Sequence, residues 1–246
     1  MWESVKIQVL KARKNTVAFG LYSIEYLLIS RKSIIDGLQQ LFDLPLRIKR
    51  LNKSDTPYYG YIGQYPEIPL YESLGIEDTL SQPGHDESYS GQLSELDKIV
   101  RRMVLESLGL EKYLDEHMGV TDYLIRFQKY DAPKSNDTKL GLDSHKDKKI
   151  VVTILYGNEV KGLEVLTKDG KYWIDAEPSK NSFIVMIGEY FHAWTNGRLH
   201  APYHRVMVTG DEARFSVGLF SIPKSGYIMK APEEMVDEDH PLLFKP

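Results

Sequence analysis

The chain has 246 residues, with 31 Lys+Arg against 35 Asp+Glu, 42% hydrophobic and 27% charged residues. This composition suits a folded protein of one or two domains and excludes a disordered chain. It contains no cysteine, which excludes disulfides, thiolate-held zinc, iron–sulfur clusters and cysteine nucleophiles and leaves only His, Asp and Glu to hold a metal.

From the N-terminus, residues 3–12 mix charges with Val5, Ile7, Val9 and Leu10 and are read as a helix. Residues 16–22 have the β-branched and aromatic content of a short strand. The stripe Ile34, Ile35, Leu38, Leu41 and Phe42 predicts a helix over 30–42, stopped by Pro45. Residues 58–75, rich in Gly, Pro and Tyr, read as an ordered loop, and 77–90 as a polar stretch turning at Pro83-Gly84. Leu93, Leu96, Ile99, Val100, Met103, Val104 and Leu108 follow the 3.6-residue period and predict a helix over 92–108. A shorter helix follows over 111–117.

From Thr121 the pattern changes. Apolar runs at 123–127, 150–156, 163–166, 172–174, 183–187, 203–208 and 215–222 alternate with turn residues such as Gly157-Asn158, Asp169-Gly170, Asn196-Gly197 and Gly210-Asp211. Many short strands at this spacing predict an antiparallel sandwich or jelly roll. The expected architecture is mostly β with flanking helices. An α-rich region over 1–120 packs on a double-stranded β-helix (jelly-roll) core over 121–246, and the two form one structural unit.

Four of the seven histidines lie between His145 and His204. His145-Lys146-Asp147 precedes a predicted strand. On a strand, alternate residues share a face with Cα atoms about 6.5–7 Å apart, which would aim an imidazole and a carboxylate at one ion. With His204 on a later strand, two histidines and one carboxylate make the facial triad of non-haem iron(II) oxygenases, which leaves coordination positions open. An exposed polar strand end would show the same His-x-Asp pattern. Arg214-Phe215-Ser216 begins ten residues after His204. Arg214, Ser216, Gly218 and Phe220 share one strand face, and the apolar Phe215, Val217 and Leu219 share the other. If the apolar face packs on helices, Arg214 points into the barrel and needs an anion there. A bound dicarboxylate would serve. A surface arginine on an edge strand is the competing placement.

The pattern His145-x-Asp147, His204-Arg205-Val206 and Arg214-x-Ser216 resembles the plant 2-oxoglutarate- and iron(II)-dependent dioxygenases. Supporting blocks are Gly162-Leu163-Glu164-Val165, Asp169-Gly170-Lys171-Tyr172-Trp173, residues 183–188 and Asn196-Gly197-Arg198. Residues 41–45 (LFDLP), 69–76 (PLYESLGI) and 203–207 (YHRVM) resemble the subgroup that includes the alkenyl- and hydroxyalkyl-producing enzymes of glucosinolate side chains, and steroidal-alkaloid hydroxylases look similar. The resemblance implies that His145, Asp147 and His204 ligate iron(II), and that Arg214, Ser216 and Tyr130 hold 2-oxoglutarate. In this reading Gln128 stands where the family often has Asn, and Phe220 packs against substrate or serves as an ordinary core ring. The implied reaction consumes dioxygen and 2-oxoglutarate, releases succinate and carbon dioxide, and hydroxylates or desaturates a small specialised metabolite. Relatives that halogenate lack the carboxylate at the position of Asp147.

His192 and His200 could be ligands by type, but neither has the His-Arg context of His204. Asp143 mirrors Asp147 across His145. Relatives usually begin with another strand upstream of Trp2, so a sheet edge is expected to be unpaired. Residues 79–90 replace a longer segment, and Lys146 is expected to face solvent. The alternative readings are a weakly active or inactive relative that binds ligand, and a lectin-type jelly roll with Arg214 and His204 on its surface. A cytoplasmic monomer is expected, without a membrane span. The mild acidity gives no support for a nucleic-acid partner.

Overall fold

The short apolar runs of the second half pair antiparallel with one another in the structure, a computed structural model that describes residues 6–12, 15–22, 31–77, 89–134, 139–176 and 182–245. In chain order the strands are β1 (Lys6–Ala12), β2 (Asn15–Tyr22), β3 (Ile62–Gly63), β4 (Tyr71–Glu77), β5 (Thr121–Tyr130) and β6 (Lys139–His145). They continue as β7 (Val152–Gly157), β8 (Leu163–Leu166), β9 (Trp173–Asp175), β10 (Ser182–Ile187), β11 (His204–Val208) and β12 (Arg214–Pro223). One sheet runs β1-β2-β10-β7-β12-β5-β4-β3 and a smaller one runs β6-β11-β8-β9. The helices are α1 (Arg31–Asp43), α2 (Leu46–Lys49), α3 (Tyr89–Ser107), α4 (Leu114–Gly119) and α5 (Glu189–Trp194). The jelly-roll expectation is met, and the helical share of the N-terminal part is modest.

Side-chain alternation divides the interior into two cores. On β10, Phe183, Val185 and Ile187 face the helices and pack with Leu38, Phe42, Leu93, Leu96 and Val100. Ile184 and Met186 face the smaller sheet and pack with Leu155, Leu163, Val165, Val206 and Val208. All six residues of β10 are buried, as expected for a strand covered on both faces. The same rule sends Phe215, Val217 and Leu219 of β12 to the helix side, so Arg214 and Ser216 turn inward. α3 is tied to the large sheet by a buried polar network. Arg101 Nη2 lies 2.8 Å from Asp97 Oδ2. Arg101 Nη1 donates to Thr121 Oγ1 at 2.8 Å, and Tyr123 Oη donates to Asp97 at 2.9 Å.

Several expectations are corrected. The helix expected over 3–12 is, in its described part, the strand β1, paired with β2. Ile7 and Val9 are β-branched and recur at a spacing of two, a strand period that the interleaved charges hid. β2 pairs in turn with β10, which leaves β1 at the edge of the large sheet. The loop expected over 58–75 contains β3 and the start of β4, which pairs with β5 from Tyr71 to Glu77. A Cβ at Gly75 would lie 1.9 Å from the Tyr59 carbonyl oxygen. Glycine at this position therefore lets the loop cross tightly over β4. β6 has no counterpart among the expected strands, because Lys-Leu-Gly-Leu-Asp-Ser-His has little strand character. The turn expected at Pro83-Gly84 lies outside the described residues.

Candidate metal centre and active site

β6 and β11 lie side by side in the smaller sheet, and their register pairs His145 with His204. His145 is the last residue of β6, and Asp147 lies in the turn that follows. The two therefore do not share a strand face as expected; the turn brings the carboxylate back. Asp147 Oδ1 lies 3.7 Å from His145 Nε2 and 3.6 Å from His204 Nε2. One ligand atom from each residue falls within 4.8 Å of the others.

The imidazoles present their Nε2 atoms. His145 Nδ1 lies 2.7 Å from the Asp143 carbonyl oxygen, so Nδ1–H donates there and Nε2 keeps a lone pair for a metal. His204 Nδ1 faces the Pro202 carbonyl at 3.4 Å. Burial holds the His204 pKa below the ordinary value, against the opposing pull of Asp147. A neutral imidazole is the ligand form. Two nitrogens and one carboxylate on one side of an ion, with open space opposite, suit iron(II).

Thr153 was not singled out from the sequence. Its Oγ1 donates to Asp147 Oδ2 at 2.5 Å, which fixes the rotation of the carboxylate and leaves Oδ1 toward the histidines. The available signal was a single threonine in the apolar run of β7.

Arg214 and Ser216 project into the same space from β12. Arg214 is fully buried, and burial lowers its pKa. Its Nη1 donates to Ser216 Oγ at 3.0 Å, and its guanidinium lies 5.4 Å from the centre of the Tyr130 ring. Ser216 Oγ donates to Gln128 Oε1 at 3.3 Å. Among the described residues no carboxylate pairs with Arg214. An inner chamber of about 40 Å³ touches His145, Asp147, His204, Arg214, Ser216 and Tyr130. It adjoins an outer cavity of about 850 Å³, and Gln128, Leu142, His145, Asp147 and Phe220 line both. Phe220 is half-buried at that junction.

The competing candidates are elsewhere. His192 Nδ1 faces the Leu199 carbonyl at 2.5 Å. His200 is half-buried in the loop before β11, with its pKa lowered to about 4 mainly by burial. Asp143 meets His145 through its backbone, and its side chain is exposed. Lys146 is half-buried rather than solvent-facing and pairs with Glu189 at 3.5 Å. The burial of both Arg214 and His204 removes the lectin-type reading. No helix among the described residues is long and apolar enough to cross a membrane.

A family profile described as the 2OG-Fe(II) oxygenase superfamily matches residues 118–223. A probable 2-oxoglutarate-dependent dioxygenase of Arabidopsis thaliana, AOP1.2, is 45% identical over all of this chain and 82% of its own length. A solved structure of dioxygenase for auxin oxidation 1 from Arabidopsis thaliana, in complex with 2-oxoglutarate, superposes with a TM-score of 0.82 at 25% identity. That match covers 91% of this chain and 90% of the other. The dioxygenase for auxin oxidation of rice superposes with a TM-score of 0.74 at 29% identity over 92% of this chain and 80% of its own. With its His-Asp-His cluster beside a buried arginine and these relatives, the chain belongs to the 2-oxoglutarate- and iron(II)-dependent oxygenases.

Proposed function

We propose that His145, Asp147 and His204 are the iron ligands, that Arg214, Ser216 and Tyr130 seat 2-oxoglutarate, and that the outer cavity takes a small-molecule substrate. The observation that carries this reading is the inner chamber, which joins three convergent ligand atoms to a buried arginine with no carboxylate partner among the described residues. A dicarboxylate lying between them satisfies both needs: one end meets the metal and the other neutralises Arg214.

When bound, iron(II) and 2-oxoglutarate supply the oxidising chemistry, in which dioxygen is consumed, 2-oxoglutarate becomes succinate and carbon dioxide, and a substrate C–H bond is oxidised. The chain's own groups orient and exclude. The Asp143 carbonyl and Thr153 hydroxyl hold the ligands in position. Ser216 and the Tyr130 face hold the guanidinium. Leu155, Leu163, Met186 and Val206 line the chamber and keep it dry. Phe220 stands at the junction, where it would press substrate toward the metal side.

A specialised metabolite is the proposed substrate class, supported by likeness to the AOP1.2 dioxygenase and by a cavity walled with Tyr59, Tyr65, Ile68, Leu124 and Phe220. Residues 1–120 and 121–246 are read as one unit, because strands of the first part flank those of the second on both sides of the eight-stranded sheet. A cytoplasmic monomer completes the proposal; cell fractionation and light scattering test that part. The inactive reading is not favoured, since the ligand cluster is complete. The deciding experiment supplies iron(II), 2-oxoglutarate and air to the protein with a library of plant metabolites and measures succinate. Release stimulated by one compound class, with a product heavier by one oxygen or lighter by two hydrogens, is expected. Across the library, succinate no higher than without added compound would count against this assignment.

A further inference from the structure

The outer cavity contains a buried charge that neither the iron ligands nor the 2-oxoglutarate cradle uses. Among the described residues that line it, Arg126 is the one buried charged residue; Lys146 and Asp147 are half-buried, and Glu67, Asp143, Lys148 and Lys149 are exposed. It lies on the inward face of β5, one same-face step from Gln128, about 7 Å along the strand. Gln128 lines both chambers, whereas Arg126 lines only the outer one. Its Nη1 donates to the Tyr58 carbonyl and its Nη2 to Ser73 Oγ. Both acceptors are neutral, and among the described residues no carboxylate pairs with it. An arginine has five N–H donors, so these two bonds fix the guanidinium and leave others for the cavity. A desolvated cation held in place by neutral tethers is costly unless an anion meets it.

The rest of the wall is mostly apolar or aromatic, and Ile62, Ile68, Leu124 and Phe220 line the same cavity as Arg126, His145 and Asp147. Arg126, Lys146, Lys148 and Lys149 make four cationic side chains along the lining against the three carboxylates Glu67, Asp143 and Asp147, which favours an incoming anion. We infer that the substrate is an amphipathic anion, with a carboxylate or sulfate head held by Arg126 and an apolar body that presents its C–H bond to the metal side. This rests on the oxygenase assignment above and adds the charge and polarity of what is oxidised.

The test keeps the two separable. Protein, iron(II) and 2-oxoglutarate are combined without oxygen, and the visible band of the metal–2-oxoglutarate complex is followed. Octanoate, phenylpropionate and naphthoate are then titrated against their primary amides, with octyl sulfate to distinguish the two head groups. If no band forms, the oxygenase assignment fails and this inference with it. If the band forms, at least one acid should perturb it at about tenfold or more lower concentration than its amide, the factor expected of a charge-assisted contact. Amides acting as well as every acid, or no acid acting, overturn the inference alone. Arg126→Gln should reduce the acid-to-amide ratio to within about twofold, whereas a ratio kept at its original value overturns the assignment to Arg126. Arg126→Lys, which keeps the charge if Gln disturbs folding, should retain a preference above about threefold, and its complete loss of preference also overturns it.

Discussion

His145 and His204 are direct partners across the β6–β11 ladder, with ring centroids 4.3 Å apart. The ladder register therefore sets the spacing of two proposed metal ligands that are distant in sequence. A one-residue slip of β11 would send His204 to the opposite face. Asp147 closes the triangle from a turn, which is why its orientation depends on a neighbour.

That neighbour is Thr153. Thr153→Val keeps the shape and removes the hydroxyl that donates to Asp147 Oδ2. Iron(II) affinity should fall by about 10–100-fold, as for other residues that orient a metal ligand. Anaerobic metal titration measures it. Thr153→Ser should restore most of the affinity, and unchanged affinity in the Val variant would remove this role.

Much of this site was legible in the sequence. His145, Asp147, His204 and Arg214-x-Ser216 could be picked out as candidates, which the structure brings together, because ligand chemistry demands few residue types and the chain offers few candidates without cysteine. Strand alternation correctly sent Arg214 inward, because Phe215, Val217 and Leu219 needed the helix side. Thr153 and Arg126 were not legible, since their roles depend on partners in other strands or loops. β1 was misread because pairing with β2 decides between two weak local patterns, and β6 because its polar residues lie on the edge of the smaller sheet. Asp147 reached its position by a turn, which sequence spacing did not indicate.

Arg214→Gln removes the buried cation that faces the metal site. The concentration of 2-oxoglutarate needed for half-maximal succinate release should rise by about 30-fold or more, the cost of losing a charge-assisted pair. 2-Oxoglutarate at a concentration that just saturates the wild type should raise its melting temperature and raise that of the variant much less. Equal thermal shifts would show that Arg214 does not bind it.

The Asp97–Arg101 pair lies within α3 and is wholly buried, and its bonds to Tyr123 and Thr121 tie the helix to β5. Asp97→Asn leaves Arg101 charged and without its carboxylate. Urea unfolding should report a loss of about 3–5 kcal/mol, the range for breaking a buried pair from one side. A loss below about 1 kcal/mol would mean that the site relaxes to admit water.

His117 predicts an acid-sensitive fold. Its ring packs against Phe191 and Trp194 with centroids 4.8 Å away in each case, and its Nδ1 faces Arg101 Nη1 at 3.3 Å. Burial first and Arg101 second lower its pKa from 6.5 to about 3. Between those values the unfolded chain binds a proton that the folded chain refuses. The stabilisation is therefore present above about pH 6.5 and is lost as pH falls toward about 3, by up to about 1.4 kcal/mol per unit. His117→Gln should flatten this slope in urea midpoints measured from pH 7 to 4. A parallel slope in the variant would assign the acid sensitivity to other groups.

The iron assignment is tested most directly by anaerobic visible spectroscopy of the protein with iron(II) and 2-oxoglutarate, in wild type and Asp147→Ala. The account predicts a weak charge-transfer band that saturates near one iron per chain in the wild type. In Asp147→Ala it predicts that the iron requirement rises by at least about tenfold, with loss of substrate-coupled succinate formation. A wild type with no band, or an Asp147→Ala variant with the same titration and full turnover, would contradict it.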